Sequence, residues 1–221
     1  DGSSLTGAEL VASLQAGGDP SYLVGGADAD ELYAYTGGST LSGGEGSDEL
    51  SGERGNDTLL GGGGTDFLRG AEGHDVLEGG AGQDHLDGGA GSDTYRFGPG
   101  SGVDYLSDYD GAGSDLDRVV LAAGLTPNEV SVTNDGANLH LRLANPADEL
   151  VITQAGTEES PWGVDQVVFS DGRIWTRADL AALPTNSAPS LAAPIADQSA
   201  TTHLPVGFSL PAGTFADAQG D

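Results

Sequence analysis

Six aspartates, Asp48, Asp57, Asp66, Asp75, Asp84 and Asp93, recur every nine residues without a slip, and Asp30 stands in the same register two repeats earlier. Each lies in a glycine-rich turn and is followed two residues later by one large side chain. A carboxylate is a hard oxygen donor, and glycine at a turn lets backbone carbonyls converge on one point. An all-oxygen site with about six to eight ligands suits calcium. Magnesium wants tighter octahedral geometry and retained waters, and zinc wants His or Cys at ligand spacing. Aspartate is also an ordinary turn residue, but turn chemistry alone imposes no nine-residue register.

The other reactive side chains form no comparable set. His74 and His85 fall at different block positions, so they make no ligand column and read as solvated surface groups, while His140 and His203 have no evident partner in the sequence. No nucleophile elbow or metalloprotease motif occurs, and the glycine-rich turns lack the lysine of a phosphate loop. The paired carboxylates would be neutralised by calcium rather than leaving one protonated for acid catalysis. No enzyme is expected here.

The elements that must position the aspartates follow from the period. Residues 25–96 divide into eight blocks of nine, beginning at Gly25, Ala34, Gly43, Gly52, Gly61, Gly70, Gly79 and Gly88. The sixth position is Asp in all but Ser39, and the eighth is Leu32, Leu41, Leu50, Leu59, Leu68, Leu77, Leu86 and Tyr95. The last three residues of each block read as a very short strand whose middle side chain points inward. Two blocks then make one turn of a flattened right-handed coil. One inward column holds Leu32, Leu50, Leu68 and Leu86, the other Leu41, Leu59, Leu77 and Tyr95. Strands about 4.8 Å apart give a stack roughly 19 Å long over four turns.

Blocks such as Gly79-Gly80-Ala81-Gly82-Gln83-Asp84-His85-Leu86-Asp87 resemble the GGxGxDxUx nonapeptide of repeats-in-toxin (RTX, haemolysin-type) calcium-binding proteins. The resemblance covers residues 25–96. It implies an all-β fold, a parallel β-roll, with several calcium ions held between turns by Asp side chains and loop carbonyls of blocks n and n+2. Carried over by position, the pairs are Asp48/Asp66, Asp66/Asp84, Asp57/Asp75 and Asp75/Asp93, with Asp30/Asp48 a further pair and Asp104 completing a site with Asp84. The loop glycines implied by the same resemblance are Gly43, Gly44, Gly46, Gly52, Gly55, Gly61, Gly62, Gly64, Gly70, Gly73, Gly79, Gly80, Gly82, Gly88, Gly89 and Gly91. Ser39 replaces Asp, so a Ser39/Asp57 site is expected to be weak or empty. Glu53 and Ala71 replace the second glycine, so distorted loops are expected there.

Four segments are expected around this pattern. Residues 1–24 read as a helical cap, with a helix over Thr6 to Ala16 opened by the Thr6 and Glu9 capping-box pattern; a linker is the rival reading. Residues 25–108 form the roll, closed by Phe97 to Leu106. Asp108, Asp110, Asp115 and Asp117 either hold another ion or solvate a loop, the loop being favoured. Residues 109–183 form a β-rich capping region. Arg118–Leu121, Val130–Thr133, Asn138–Leu143, Leu150–Thr153, Val164–Phe169 and Arg173–Trp175 read as antiparallel strands, with a hairpin at Asn134-Asp135-Gly136. By resemblance, this region caps the roll and helps nucleate calcium-driven folding. In residues 184–221, Pro194-Ile195-Ala196-Asp197-Gln198 and Leu210-Pro211-Ala212-Gly213-Thr214-Phe215-Ala216-Asp217 resemble the start of a cadherin-like (dystroglycan-type) module, expected to be disordered or to dock by strand addition; a plain linker is the alternative.

Charge bounds the partners. There are 35 acidic and 7 basic residues, a formal charge of −28. Nucleic acid and anionic membrane surfaces are disfavoured, and no run suits a membrane-spanning helix. Such charge repels a compact state unless cations neutralise it. Cysteine is absent, so no disulfide is available. Asp1-Gly2-Ser3-Ser4 is not a secretory signal, and the chain reads as a piece of a longer protein. The resemblance implies a secreted or cell-surface bacterial protein, exported by a type I channel and folding outside on calcium. The competing reading is an adhesin-like module for carbohydrate or a cell surface, with Tyr33, Phe67, His85 and Arg69 on its face but no recurrent aromatic row.

Overall fold

The computed structural model describes residues 21–34, 37–108, 115–153, 163–182, 190–191 and 215–216. The helix expected over Thr6 to Ala16 and most of the 184–221 segment lie outside these residues. Two sheets face each other. The first contains, in spatial order, β1 (Tyr22–Val24), β3 (Thr40–Glu45), β5 (Thr58–Gly64), β7 (Val76–Gly82), β9 (Thr94–Phe97), β11 (Arg118–Leu121), β15 (Gln166–Val168) and β16 (Ile174–Thr176). The second runs β2 (Glu31–Tyr33), β4 (Glu49–Ser51), β6 (Phe67–Glu72), β8 (His85–Ala90), β10 (Val103–Leu106), β14 (Glu149–Thr153), β13 (Asn138–Leu143) and β12 (Val130–Asn134). From β1 to β11 the strands alternate between sheets along the chain, which is the winding of a parallel β-roll.

Register follows the nine-residue period. Leu41 pairs with Leu59, Leu59 with Leu77, and Leu77 with Tyr95; opposite them Leu32, Leu50, Leu68 and Leu86 stand in line. All are buried. At about 1.5–3 kcal/mol for each large apolar side chain fully buried, the columns supply the roll's cohesion. A one-residue slip would turn every leucine outward.

Three features differ from the sequence expectation. First, several strands exceed three residues: β5 and β7 continue through the glycines, pairing Gly62 with Gly80 and Gly64 with Gly82. Second, the loops at Glu53 and Ala71 keep glycine-like backbone instead of distorting, with φ of 62° and 78°. This left-handed conformation costs an L-residue roughly 1–2 kcal/mol, and stacking on neighbouring turns holds it in place.

Third, the region after the repeats is only partly antiparallel. β11 pairs parallel with β9 and with β15, and β14 pairs parallel with β10. The inward columns therefore continue through Val119 and Val167 on one side and Leu106 and Ile152 on the other. The antiparallel pairs are β12/β13, β13/β14 and β15/β16. The β12/β13 hairpin turns at Asn134-Asp135-Gly136, with Gly136 at φ 94°. A short helix, α1 (Arg177–Ala181), follows, opened by a Thr176/Asp179 capping box that sequence reading passed over. Ser190–Leu191 and Phe215–Ala216 form a separate antiparallel pair.

Candidate metal centre

Each repeat aspartate sits one residue before its strand, so parallel stacking places the aspartates in two columns. Along one, the backbone N–H of Asp30 donates to Asp48 Oδ1 (2.7 Å), Asp48 to Asp66 (2.8 Å), Asp66 to Asp84 (2.9 Å) and Asp84 to Asp104 (3.2 Å). Along the other, Ser39 donates to Asp57 (2.6 Å), Asp57 to Asp75 (2.7 Å), Asp75 to Asp93 (2.7 Å) and Asp93 to Asp117 (2.8 Å). The structure thus brings together every pair drawn from the sequence, Asp84/Asp104 included. Only Ser39 interrupts a column, and its buried Oγ has no hydrogen-bond partner.

One oxygen of each carboxylate is used in this way. The second oxygen, Oδ2, of Asp48, Asp57, Asp66, Asp75, Asp84, Asp93 and Asp104 is buried without a hydrogen-bond partner. Asp30 differs, since its Oδ2 accepts from the Gly26 N–H at 2.6 Å. A buried carboxylate with an unused oxygen is costly unless a cation or proton meets it. The loops supply carbonyls at the same place. A Cβ added to Gly52 would stand 2.7 Å from the Gly70 carbonyl oxygen and 2.8 Å from Asp57 Oδ2; Gly43, Gly61 and Gly70 are flanked likewise by Asp48, Asp66 and Asp75 and by the carbonyls of Gly61, Gly79 and Gly88. Carboxylate and carbonyl oxygens therefore converge where only a glycine hydrogen leaves room. At Gly79 and Gly88 the nearest groups include Asp84 Oδ2 and Asp93 Oδ2. Gly44, Gly46, Gly55, Gly62, Gly64, Gly73, Gly80, Gly82, Gly89 and Gly91 carry positive φ, and each packs on the backbone one turn earlier. This donor set fits a hard cation.

Burial leaves a clear electrostatic mark. It raises the carboxyls of Asp48, Asp57, Asp66 and Asp84 above their ordinary range. It lifts Asp75 to about 6, Asp93 to about 7 and Asp104 to about 8, with neighbouring aspartates adding to the rise.

The columns run on past the repeats, which corrects the reading of the following aspartates as a solvated loop. Asp108 and Asp117 are buried, at 2% and 1% exposure. The carboxylates of Asp93, Asp108 and Asp117 have oxygens within 4.8 Å of one another, a group that could hold a cation. Asp108 Oδ1 accepts from Gly89 N–H at 3.1 Å, and its Oδ2 is unpartnered. The buried Tyr95 hydroxyl accepts from Gly88 N–H at 2.7 Å and lies beside Asp108, whose carboxyl it helps hold down against burial. Burial lifts Asp108 to about 7. One step further, Asp117 N–H donates to Asp165 Oδ2 at 3.0 Å, and Asp165 faces Arg177 at 3.2 Å. A guanidinium thus stands against the last aspartate of that column. Asp115 is half-buried, and Asp110 lies outside the described residues.

His140 is partnered, contrary to the sequence reading. Nδ1 meets Glu149 at 2.7 Å and Nε2 meets Asp135 at 3.1 Å, with Arg142 also on Glu149. His203 lies outside the described residues.

The model of the RTX calcium-binding nonapeptide repeat (4 copies) matches residues 13–41, 24–59, 33–68, 60–95 and 69–106. The roll is built of RTX calcium-binding repeats. Among solved structures, the extracellular lipase LipA from Serratia marcescens is similar at 16% identity and a TM-score of 0.29, over 66% of this chain and 39% of the lipase chain. A search of curated proteins found no match. Among the described residues, no helix is long and apolar enough to cross a membrane. The RTX repeats end near residue 106, yet the aspartate ladder continues to Asp117 and Asp165.

Proposed function

We propose that this chain is a calcium-responsive folding module of a secreted bacterial protein, taking up about seven ions. The count comes from seven Asp-to-Asp steps, Asp30/48, 48/66, 66/84, 84/104, 57/75, 75/93 and 93/117, leaving out the eighth, Asp117/165, where Arg177 already supplies positive charge. The observation that carries the reading is the set of eight buried aspartate Oδ2 atoms without hydrogen-bond partners. Calcium supplies the positive charge those oxygens call for. Without it, like charges in each column repel and the narrow leucine core does not offset backbone entropy. Ligand free energy then becomes folding free energy. Seven divalent ions would cut the formal charge from −28 by 14, to about −14.

Extracellular calcium modules bind at roughly 0.1–1 mM, which suits a chain that stays unfolded inside the cell and folds once exported, as type I secretion would require. No catalysis is assigned to this chain, and turnover of generic protease, lipase or glycosidase substrates is expected to be absent. Far-UV circular dichroism with chelator and with calcium, paired with isothermal calorimetry, tests the reading. A cooperative gain of β signal with several ions bound supports it. Identical β content in both buffers would remove the folding switch.

A further inference from the structure

The outer face of the second sheet carries two side-chain columns that the calcium reading does not use. One runs Glu31, Glu49, Phe67, His85, Tyr105; the other contains Tyr33, Ser51, Arg69 and Asp87. The sequence shows no recurrent aromatic row, but the structure makes one. The Phe67 and His85 rings stack at 4.7 Å and 5°, and those of His85 and Tyr105 at 5.4 Å and 16°. Tyr105 lies twenty residues after His85, beyond a two-residue insertion, so the nine-residue phase hides it.

The stack covers one face of Phe67. The ring's other face turns towards β4, where Glu49 is its neighbour in register, and Phe67 is 53% exposed. A cavity of about 320 Å³ opens there, bordered by Tyr33, Glu49, Ser51, Glu53, Phe67 and Arg69. Ser51 Oγ donates to Glu53 Oε1 at 3.1 Å, so Glu53 is partly engaged. All seven basic residues are arginines, and five of them are ion-paired. Among the described residues, Arg69 has no carboxylate partner, although this is a strongly acidic chain.

We infer that this groove binds a pyranose unit of a neutral polysaccharide. A flat apolar ring beside hydrogen-bonding side chains matches a sugar, which has an apolar C–H face and a rim of hydroxyls. Glu49 and Glu53 accept from hydroxyls, and Arg69 donates to them. The charges argue against other occupants. An anionic polymer would meet a chain of formal charge −28. A cationic peptide would find Glu49, Glu53 and Asp87 on the walls but meet the Arg69 guanidinium among them, so poly-lysine is the competing occupant the test includes. An apolar protein surface would bury the carboxylates and Arg69 without partners. The stack holds the Phe67 ring in place before binding, which lowers the ordering cost. The groove is assembled from β2, β4, β6 and β8, so its calcium dependence rests on the proposed function, whereas its ligand chemistry does not.

Affinity electrophoresis of the full 221-residue chain in calcium-containing native gels tests this. The gels would carry a soluble β-glucan, a galactomannan, an arabinoxylan or poly-lysine. Retardation by at least one neutral polysaccharide is expected, weakened about tenfold by Phe67→Ala and by Arg69→Gln. Circular dichroism of both variants in calcium should match the parent; if Phe67→Ala does not fold, Arg69→Gln decides alone, since its side chain lies on the surface. Unretarded migration in every neutral gel would overturn the inference. So would retardation that neither folded variant weakens, or retention by poly-lysine alone. Retardation that persists with no calcium-dependent change in circular dichroism would remove the folding switch while leaving the groove.

Discussion

Asp66→Asn separates the two demands placed on the aspartate columns, because it should act with opposite sign in chelator and in calcium. Asp66 is fully buried and takes part in two of the seven steps, accepting from Asp48 N–H at 2.8 Å and donating its own N–H to Asp84 at 2.9 Å. Asparagine has the same shape and keeps an oxygen for the Asp48 N–H, so packing and ladder persist while the charge is lost. With calcium, removing one partner of a buried charge pair costs about 3–5 kcal/mol. Spread over about seven ions that bind with folding, 4 kcal/mol becomes roughly 0.6 kcal/mol per ion, or about a threefold higher calcium midpoint. With chelator, burial has raised the Asp66 carboxyl above its ordinary range, so losing the charge should relieve the roll and leave the variant no less structured than the parent. Circular dichroism across a calcium titration reads both arms, with Glu72→Gln on the exposed Arg54 pair as a control expected to show no shift. An unchanged or lower midpoint for Asp66→Asn would refute the assignment of its carboxylate to calcium. A variant less structured than the parent in chelator would refute the repulsion account.

Three further outcomes are expected. Gly64→Ala should destabilise the calcium-bound roll by at least about 1–3 kcal/mol, read as a lower melting temperature, because Gly64 has φ 131° and an added Cβ would overlap the Gly46 carbonyl oxygen; an unchanged melting temperature would contradict the stacking. Without calcium, β signal should rise as pH falls from about 8 towards 4, since Asp75, Asp93, Asp108 and Asp104 are raised from 3.8 to about 6, 7, 7 and 8 in the roll. Their contribution is fully present below the unfolded value and is lost as pH rises through the folded ones, so a chelated chain that gains order with rising pH would reverse the sign. Arg177→Gln should raise the calcium demand of the folded state measurably above that of the parent, because Asp165 loses its 3.2 Å guanidinium; calorimetry showing the same midpoint would make that ion pair incidental.

The period carried most of the roll, for a physical reason. A nine-residue block contains all that its local fold requires: glycines for the loop, one aspartate, and one inward leucine. Stacking then repeats the same contacts. What escaped was what the longer insertions displaced. Asp104, only 20 residues after Asp84, could still be paired from the sequence, but Asp117 follows Asp93 by 24 and Asp165 follows Asp117 by 48, yet each restores the same local unit of Asp, one residue, then an inward apolar side chain: Leu106, Val119 and Val167. The shared unit was visible at Asp117-Arg118-Val119, whereas its place in the column depends on loop lengths that no period encodes. The same displacement hid Tyr105 from the aromatic stack, and strand direction in the C-terminal region was misjudged because alternating polarity does not distinguish parallel from antiparallel neighbours.

The two ends of the structure meet the charge problem differently, and this gives the roll a direction. Within the repeats, column aspartates from Asp48 to Asp93 each keep an unpartnered buried oxygen. Asp104 and Asp108 carry the same demand, and past them it falls. Asp148 accepts from Gly100 and Gly102 N–H at 3.1 Å and from Asn145 at 3.0 Å, so both its oxygens are engaged by the chain itself. Asp165 is met by Arg177, and Phe169 packs edge-on against Trp175 at 4.5 Å. These contacts need no cation. The C-terminal strands therefore offer β11 and β10 a surface whose own carboxylates are already hydrogen-bonded or ion-paired, and each further turn towards the N-terminus adds aspartates whose unused oxygens need positive charge. On this accounting, order should spread from the C-terminal strands into the repeats as calcium rises, since the first turn to form lies against strands whose charges are already met.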